Sequence, residues 1–344
     1  MGIIKRLICC FLFIVLLAGL IGCISAGSAV ITETVPNETD SPAASNTVKI
    51  YSSMPKEYLL AVKKGFESQY PGLTMEFYFA STPKLLTKIS TERQSGKMEA
   101  DMIWITDAVD CIGLKYDGML QKYISPEAVG FDSAFLDPDG YFAGASLITV
   151  GIGYNTERVR PEEVPKTWED LTDSKWRGQI LMTDPGSSGT MMYAVGALMQ
   201  DSRYGPSYFQ KLHQNRVLLE CSTTAAHNAI AKGDYKIGIM QEHLTRKLSA
   251  NGAPVAFQMM ELSCRITTVS TIGLLSNGGK NQEIAKRLYD FILSKDGQKV
   301  LARQDLAPVR DLKAEFFCNG MQADLADLHE NKNEILDTFD EIFG

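Results

Sequence analysis

The 344-residue sequence has only four histidines, no C-x-x-C pair among its seven cysteines, no G-x-S-x-G elbow and no surplus of positive charge. Each absence removes a class of function. A formal net charge of −7, with no basic stretch interleaved with aromatics, speaks against a general nucleic-acid binder, whose surface must neutralise phosphates. The wide spacing of Cys111, Cys221, Cys264 and Cys318 argues against a structural zinc and against a dithiol redox centre. The imidazoles are confined to His213, His227, His243 and His329, and Gly186-Ser187-Ser188-Gly189 stands where a strained nucleophile turn would be sought. An exported hydrolase therefore has little to recommend it, although a Ser-His-Asp set assembled from distant residues stays open. What is present is a composition with 45% hydrophobic and 22% charged residues, typical of a globular protein with substantial cores, and enough length for two domains. No internal repeat of short period occurs.

At the N-terminus, Lys5 and Arg6 precede an apolar run over 7–24, which reads as a secretory signal peptide. An uncleaved membrane span is the alternative, for which the run is barely long enough. Leu20-Ile21-Gly22-Cys23 resembles the lipobox of bacterial lipoproteins, so 1–22 is expected to be removed and Cys23 to carry the lipid. Residues 24–47 are rich in Ser, Thr, Ala and Pro without sustained period and read as a tether, with a typical end-to-end distance of roughly 25–30 Å. An exported, membrane-anchored position follows. Cys111, Cys221, Cys264 and Cys318 then remain in an oxidising compartment; they allow three complete pairings, and free buried thiols are the expectation.

From Val48 onward, strand-like and helix-like patterns alternate. "VKIYSS" is short and β-rich, and "KEYLLAVKKGFESQY" places Leu59, Val62 and Phe66 on one helical face. "LTMEFYFA" puts Leu73, Met75, Phe77 and Phe79 on one side of a strand. "STPKLLTKISTERQSG" reads as a helix opened by Ser/Thr and Pro and closed at Gly96, and "ADMIWITDA" as a compact apolar strand. A second series, "GQILMTDPGSSGT", "RVLLECSTT" and "YKIGIMQEH", repeats the rhythm, and "EIAKRLYDFILSKDG" sets Ile284, Leu288, Phe291 and Ile292 on a helical face. The pattern predicts an α/β fold with a largely parallel sheet.

In open α/β sheets ligands bind beyond the carboxyl ends of the strands, so the polar residues closing each apolar run are candidate contacts. They are Ser52 and Ser53, Ser81 and Thr82, Thr106 and Asp107, then Ser187, Ser188, Gly189 and Thr190, then 222–224 with Thr224, and 241–243 with Glu242. In "TDPGSSGT" a serine can simply cap the helix that follows. A helix start also offers free N–H groups and partial positive charge to an anion. Six hydroxyl- or amide-rich strand ends together suggest a small oxyanionic ligand held by neutral donors.

The order of segments resembles the type 2 periplasmic solute-binding proteins of ABC importers, in the branch that holds ferric-iron, hexose-phosphate and 2-aminoethylphosphonate binders. The residues that carry the resemblance are "ADMIWITDA", "DPDGYFAGASLITVGIGYN", "VPKTWEDLTDSKWRGQILMTDPGSSGT", "HNAIAKGDYKIGI" and "AKRLYDFILSKDGQKVLARQDLAPVR", and it spans most of 48–310. It implies two lobes joined by crossover strands near 147–153 and 267–273, closing on a ligand between them: lobe 1 from 48–150 plus 271–310, lobe 2 from 151–270 plus 311–344. It implies no catalysis and no cofactor, a monomer, and an importer permease and ATPase as partners; a sensory lipoprotein is the further alternative. Ferric-iron binders of the branch supply two adjacent tyrosines shortly after the segment matching "GDYKIGI", where this chain reads Gln241-Glu242-His243-Leu244. The phosphate-type loop 187–190 is intact, so the resemblance favours a phosphorylated or phosphonated solute. His227, Tyr235, Glu242 and His243 are what an alternative iron or other metal site would draw on. Asp107, Glu242 or Asp184 could pair with a ligand amine, and Tyr154 or Trp168 could pack on its carbon skeleton.

Overall fold

A computed structural model describes residues 46–276, 278–279, 281–312 and 319–344. The expected signal peptide, Cys23, nearly all of the tether and Cys318 lie outside the described residues. The chain begins with β1 (Thr47–Ser52), α1 (Lys56–Gln69), β2 (Thr74–Phe79), α2 (Thr82–Ser95), β3 (Met102–Ile105), α3 (Val109–Tyr116) and the short β4 (Leu120–Gln121). The long β5 (Phe142–Asn155) leads to β6 (Ile180–Thr183), α4 (Gly189–Gln200), α5 (Gly205–Gln214), β7 (Leu218–Glu220), α6 (Thr223–Lys232), β8 (Ile237–Gln241) and α7 (Glu242–Ala250). Then come β9 (Val255–Gln258), β10 (Ile266–Leu275), α8 (Gln282–Leu293), α9 (Lys295–Ala302), β11 (Ala307–Pro308) and two C-terminal helices, Leu325–Glu330 and Lys332–Phe343.

The strands form a curled sheet in the order β2-β1-β3-β10-β5-β8-β6-β7, with β4 on β10 and β9 and β11 on β5. Both ends of the sheet are parallel: β1 pairs with β2 and β3, and β6 with β7 and β8. The middle is antiparallel. There β10 runs against β5 from Ile266 opposite Val150 to Gly273 opposite Phe142, with a bulge at Ser270/Thr271. The expected crossover segments lie within these two strands, which join the halves of the molecule.

Each half has its own core. Ile50, Tyr58, Phe66, Trp104, Phe291 and Ile292 fill the first; Trp168, Tyr208, Phe209, Ile237, Leu328 and Phe339 fill the second. Burial of each such side chain contributes about 1.5–3 kcal/mol. The helical faces read from spacing are largely the buried ones: Leu59, Val62 and Phe66 on α1, and Leu288, Phe291 and Ile292 on α8, where Ile284 is only half-buried. In α2, Ser81 occupies the cap position without a side-chain cap bond, Pro83 falls at the start and Gly96 ends the helix at φ 67°. There the left-handed turn suits a residue without Cβ. β2 departs from expectation: it is the edge strand, so of its apolar face only Met75 is buried and Phe79 remains 40% exposed. Cys111 and Cys264 are buried and free, as expected, but Cys221 is free and exposed, one residue before the serine that caps α6.

Candidate functional site

The carboxyl end of β3 and the start of α4 meet directly. β3 is four consecutive buried apolar residues, so its polar successors Thr106 and Asp107 emerge at the strand end, where they too are buried. α4 begins at Gly189 because Ser188 is extended and its Oγ accepts from Met191 N at 3.4 Å, while Asp184 has already turned the chain by accepting from Gly186 N at 2.7 Å. Ser188 is thus a helix cap. Thr190 Oγ1 donates to the Thr106 carbonyl at 3.3 Å, tying α4 to β3. From the other side, Thr82 Oγ1 at the start of α2 donates to Ser53 Oγ at 3.0 Å. An added Cβ at Gly189 would lie 2.0 Å from Asp107 Oδ2 and 3.1 Å from Thr82 Oγ1. Ser53, Thr82, Thr106, Asp107, Ser188, Gly189 and Thr190 therefore form one contiguous group drawn from both halves.

Asp107 is the chemically distinctive member. Its Oδ1 accepts from Asp110 N at 2.9 Å at the start of α3, and its backbone carbonyl accepts from Thr271 Oγ1 at 2.7 Å. Its Oδ2 is buried with no hydrogen-bond partner. Burial first, and the neighbouring Asp110 second, push its carboxyl up to about 7, against a downward pull from Lys332, which is ion-paired with Asp110. Burial and the neighbouring Asp110 thus favour its protonated form relative to a free carboxyl.

The remaining predicted residues lie elsewhere or are already engaged. Ser52 is fully buried, with its hydroxyl donating to the Trp104 carbonyl at 2.8 Å and accepting from Met54 N, so it braces the β1 end. Ser81 and Ser187 are half-buried, and Thr224 is exposed on the first turn of α6, where Ser222 makes the cap bond. His227 is buried between Thr223 O, 2.7 Å from Nδ1, and Gln241 N, which donates to Nε2 at 3.2 Å; burial holds its pKa below the usual value. Glu242 pairs with Arg246 at 2.7 Å. His243 packs its ring 5.6 Å from that of Tyr58 on α1, and burial, with His227 and Lys247 nearby, pushes it down to about 3. Lys247 bridges to Glu57 at 3.1 Å, giving a second contact between α7 and α1. Among the described residues no group of three or more His, Cys, Asp or Glu is arranged to hold a metal ion. Asp184 is spent on its turn, and Tyr154 and Trp168 are core residues.

The sequence pattern of the bacterial extracellular solute-binding proteins matches residues 113–332. The chain belongs to that family. A Haemophilus influenzae protein of unassigned role is 25% identical over 272 residues, covering 76% of this chain and 77% of its own. Iron-bound HitA of Pseudomonas aeruginosa superposes with a TM-score of 0.73 at 20% identity, over 86% of this chain and 99% of that one. AfuA of Actinobacillus pleuropneumoniae, solved with fructose-6-phosphate, gives 0.74 at 22% identity, over 86% and 98%. The fold is that of the two-lobed periplasmic binding proteins, and by family the chain is an extracellular solute-binding protein. Such proteins work outside the cytoplasm; among the described residues no helix is long and apolar enough to cross a membrane.

Two residues of this solute-binding protein escaped the reading of strand ends. Thr271, on the bulged segment of β10, holds the Asp107 carbonyl from 164 positions away, and Lys332 reaches Asp110 from 222 away. No local pattern marks either. Only the bulge and the C-terminal helices bring them in.

Proposed function

We propose that this protein captures a phosphorylated or phosphonated small organic solute between its lobes, 48–150 plus 271–310 and 151–270 plus 311–344, and delivers it to its importer by hinge closure. The observation that carries the reading is the contiguous group of neutral hydroxyl side chains Ser53, Thr82, Ser188 and Thr190 at the amino end of α4, a 12-residue helix whose first amides and dipole suit an oxyanion. The fructose-6-phosphate complex of AfuA supports the same class of solute. A ferric-iron reading has the iron-bound HitA in its favour. Against it, residues 241–244 carry no phenolate, and Glu242 and His227 are engaged with Arg246, Thr223 and Gln241.

Titration calorimetry of the full-length protein in detergent against 2-aminoethylphosphonate, fructose 6-phosphate, inorganic phosphate and ferric citrate decides between them. One-to-one binding of a phosphorus compound is expected; binding of iron alone would refute the reading. The lipid anchor at Cys23 is part of the proposal. Labelling cells with an alkynyl fatty acid should mark the wild type and not Cys23→Ser; equal labelling of both would remove the anchor from it.

A further inference from the structure

Asp107 presents an unusual pairing. A carboxyl oxygen that is buried and without a partner lies against the first residue of α4, the place where a helix offers amides that have no acceptor inside the helix. The groups packed around it are few. On α3 they are Asp110 and Cys111, and Lys332 reaches in from the C-terminal helix. The side chains from α2, α4 and β10 are the neutral Thr82, Thr190 and Thr271, and Lys332 is already ion-paired with Asp110. A phosphoryl or phosphonyl group seated at the amino end of α4 therefore meets a carboxyl group with no cation of its own. Two negative charges side by side in a buried site cannot both persist, and one proton relieves the conflict.

We propose that Asp107 makes capture of the solute proton-coupled: the oxyanion is seated together with one proton drawn from solvent and held between Asp107 Oδ2 and a ligand oxygen. This rests on the phosphorus-ligand reading above and specifies it further. The acid is suited to the task, because burial and the neighbouring Asp110 raise its carboxyl and Oδ2 has no partner to compete for the proton. The same geometry makes the protein a poor trap in alkaline medium. Phosphate monoesters lose their second proton near pH 6, so above pH 8 the ligand arrives as a dianion and the proton must come from water.

The test is calorimetry of the full-length protein with fructose 6-phosphate and with 2-aminoethylphosphonate from pH 6 to 9.5, in buffers of different ionisation heat. In the wild type, affinity should fall about tenfold per pH unit above pH 8, with close to one proton taken up per ligand. Asp107→Asn carries a permanent N–H donor in place of the proton. Its affinity should vary less than about threefold over the same range, with no proton uptake. The buffer-heat count on the wild type stands even if D107N folds poorly. Binding without proton uptake in the wild type overturns the inference and leaves the ligand class standing. The same holds if an ammonium group meets Oδ2 in place of a proton, which would show as loss of 2-aminoethylphosphonate binding in D107N with no uptake in the wild type. No binding of either compound at any pH refutes the ligand class and takes this inference with it.

Discussion

Gly189→Ala is the most direct probe of how the two halves meet. The added methyl would sit 2.0 Å from Asp107 Oδ2, 3.0 Å from its carboxyl carbon and 3.1 Å from Thr82 Oγ1. Asp107 cannot swing aside cheaply, since Oδ1 is bonded to Asp110 N and the backbone carbonyl to Thr271. Relief must come from α4 drawing back from β3, which also stretches the Thr190 to Thr106 bond. Overpacking of this kind costs about 1–3 kcal/mol, which shifts a balance between touching and parted halves by about 5- to 150-fold. The three nearest atoms to the methyl all belong to Asp107 and Thr82, and alanine favours helix over glycine by up to about 1 kcal/mol. The expected result is therefore a separation of effects: unfolding temperature unchanged or slightly raised, radius of gyration by X-ray scattering increased, ligand affinity reduced. Replacing Asp107 by Ser in the same chain should restore the wild-type scattering curve. If G189A scatters as the wild type does and binds ligand equally well, the contact between α4 and β3 does not hold the halves together and the reasoning fails.

Three further outcomes follow from the same contacts. Asp107 titrates near 7 when buried and near 3.8 in the unfolded chain, so it is protonated in both states below pH 4 and ionised in both above pH 7; between these limits its burial erodes stability by up to ~1.4 kcal/mol per pH unit. The difference in urea midpoint between wild type and D107N should shift in favour of D107N from pH 5 to pH 8, and a constant difference would refute the assignment. Ser188→Asp preserves the cap, since aspartate also accepts helix amides, but adds a fixed charge beside Asp107; folding should persist while binding of phosphorus compounds is lost, and unchanged affinity would reduce the loop 187–190 to a cap. Native thiol labelling followed by peptide mass spectrometry should modify Cys221 rapidly and leave Cys111 and Cys264 untouched until denaturant is added; early labelling of Cys111 would contradict its burial beneath Thr271.

Local chemistry made much of this structure legible. The Pro83 and Gly96 signals bracket α2, the apolar run of β3 delivers Thr106 and Asp107 to a strand end, and Ser188 before "GTMMYAVGAL" marks the start of α4. Alternation in β2 showed which side chains share a face but not whether anything covers it, because an edge strand and an inner strand carry the same period. Nor does a hydroxyl at a strand end declare its direction. Ser52 turns inward to the Trp104 carbonyl while Ser53, its neighbour, meets Thr82. Thr224 closes an apolar run as the others do, yet the capping bond of α6 comes from Ser222 and Thr224 faces solvent. The state of Asp107 was beyond reach for a different reason. Besides the adjacent Asp110 it depends on burial and on Lys332, and both of these come from long-range packing.

The way the first core is assembled bears on how the protein is made. Phe66 on α1 packs edge-on to Phe291 on α8 at 5.9 Å, and Asn281 donates to the Thr47 carbonyl across 234 positions of sequence. β1 can pair with β2 and β3 as soon as these are made, but the core that α1 shares with α8 stays incomplete until the second half of the chain arrives. Closing such a long loop is slow, and folding of the first core has to wait for residues 282–302 to be delivered. For a chain of an extracellular family, this order of assembly keeps the first core open until nearly all of the chain has been made.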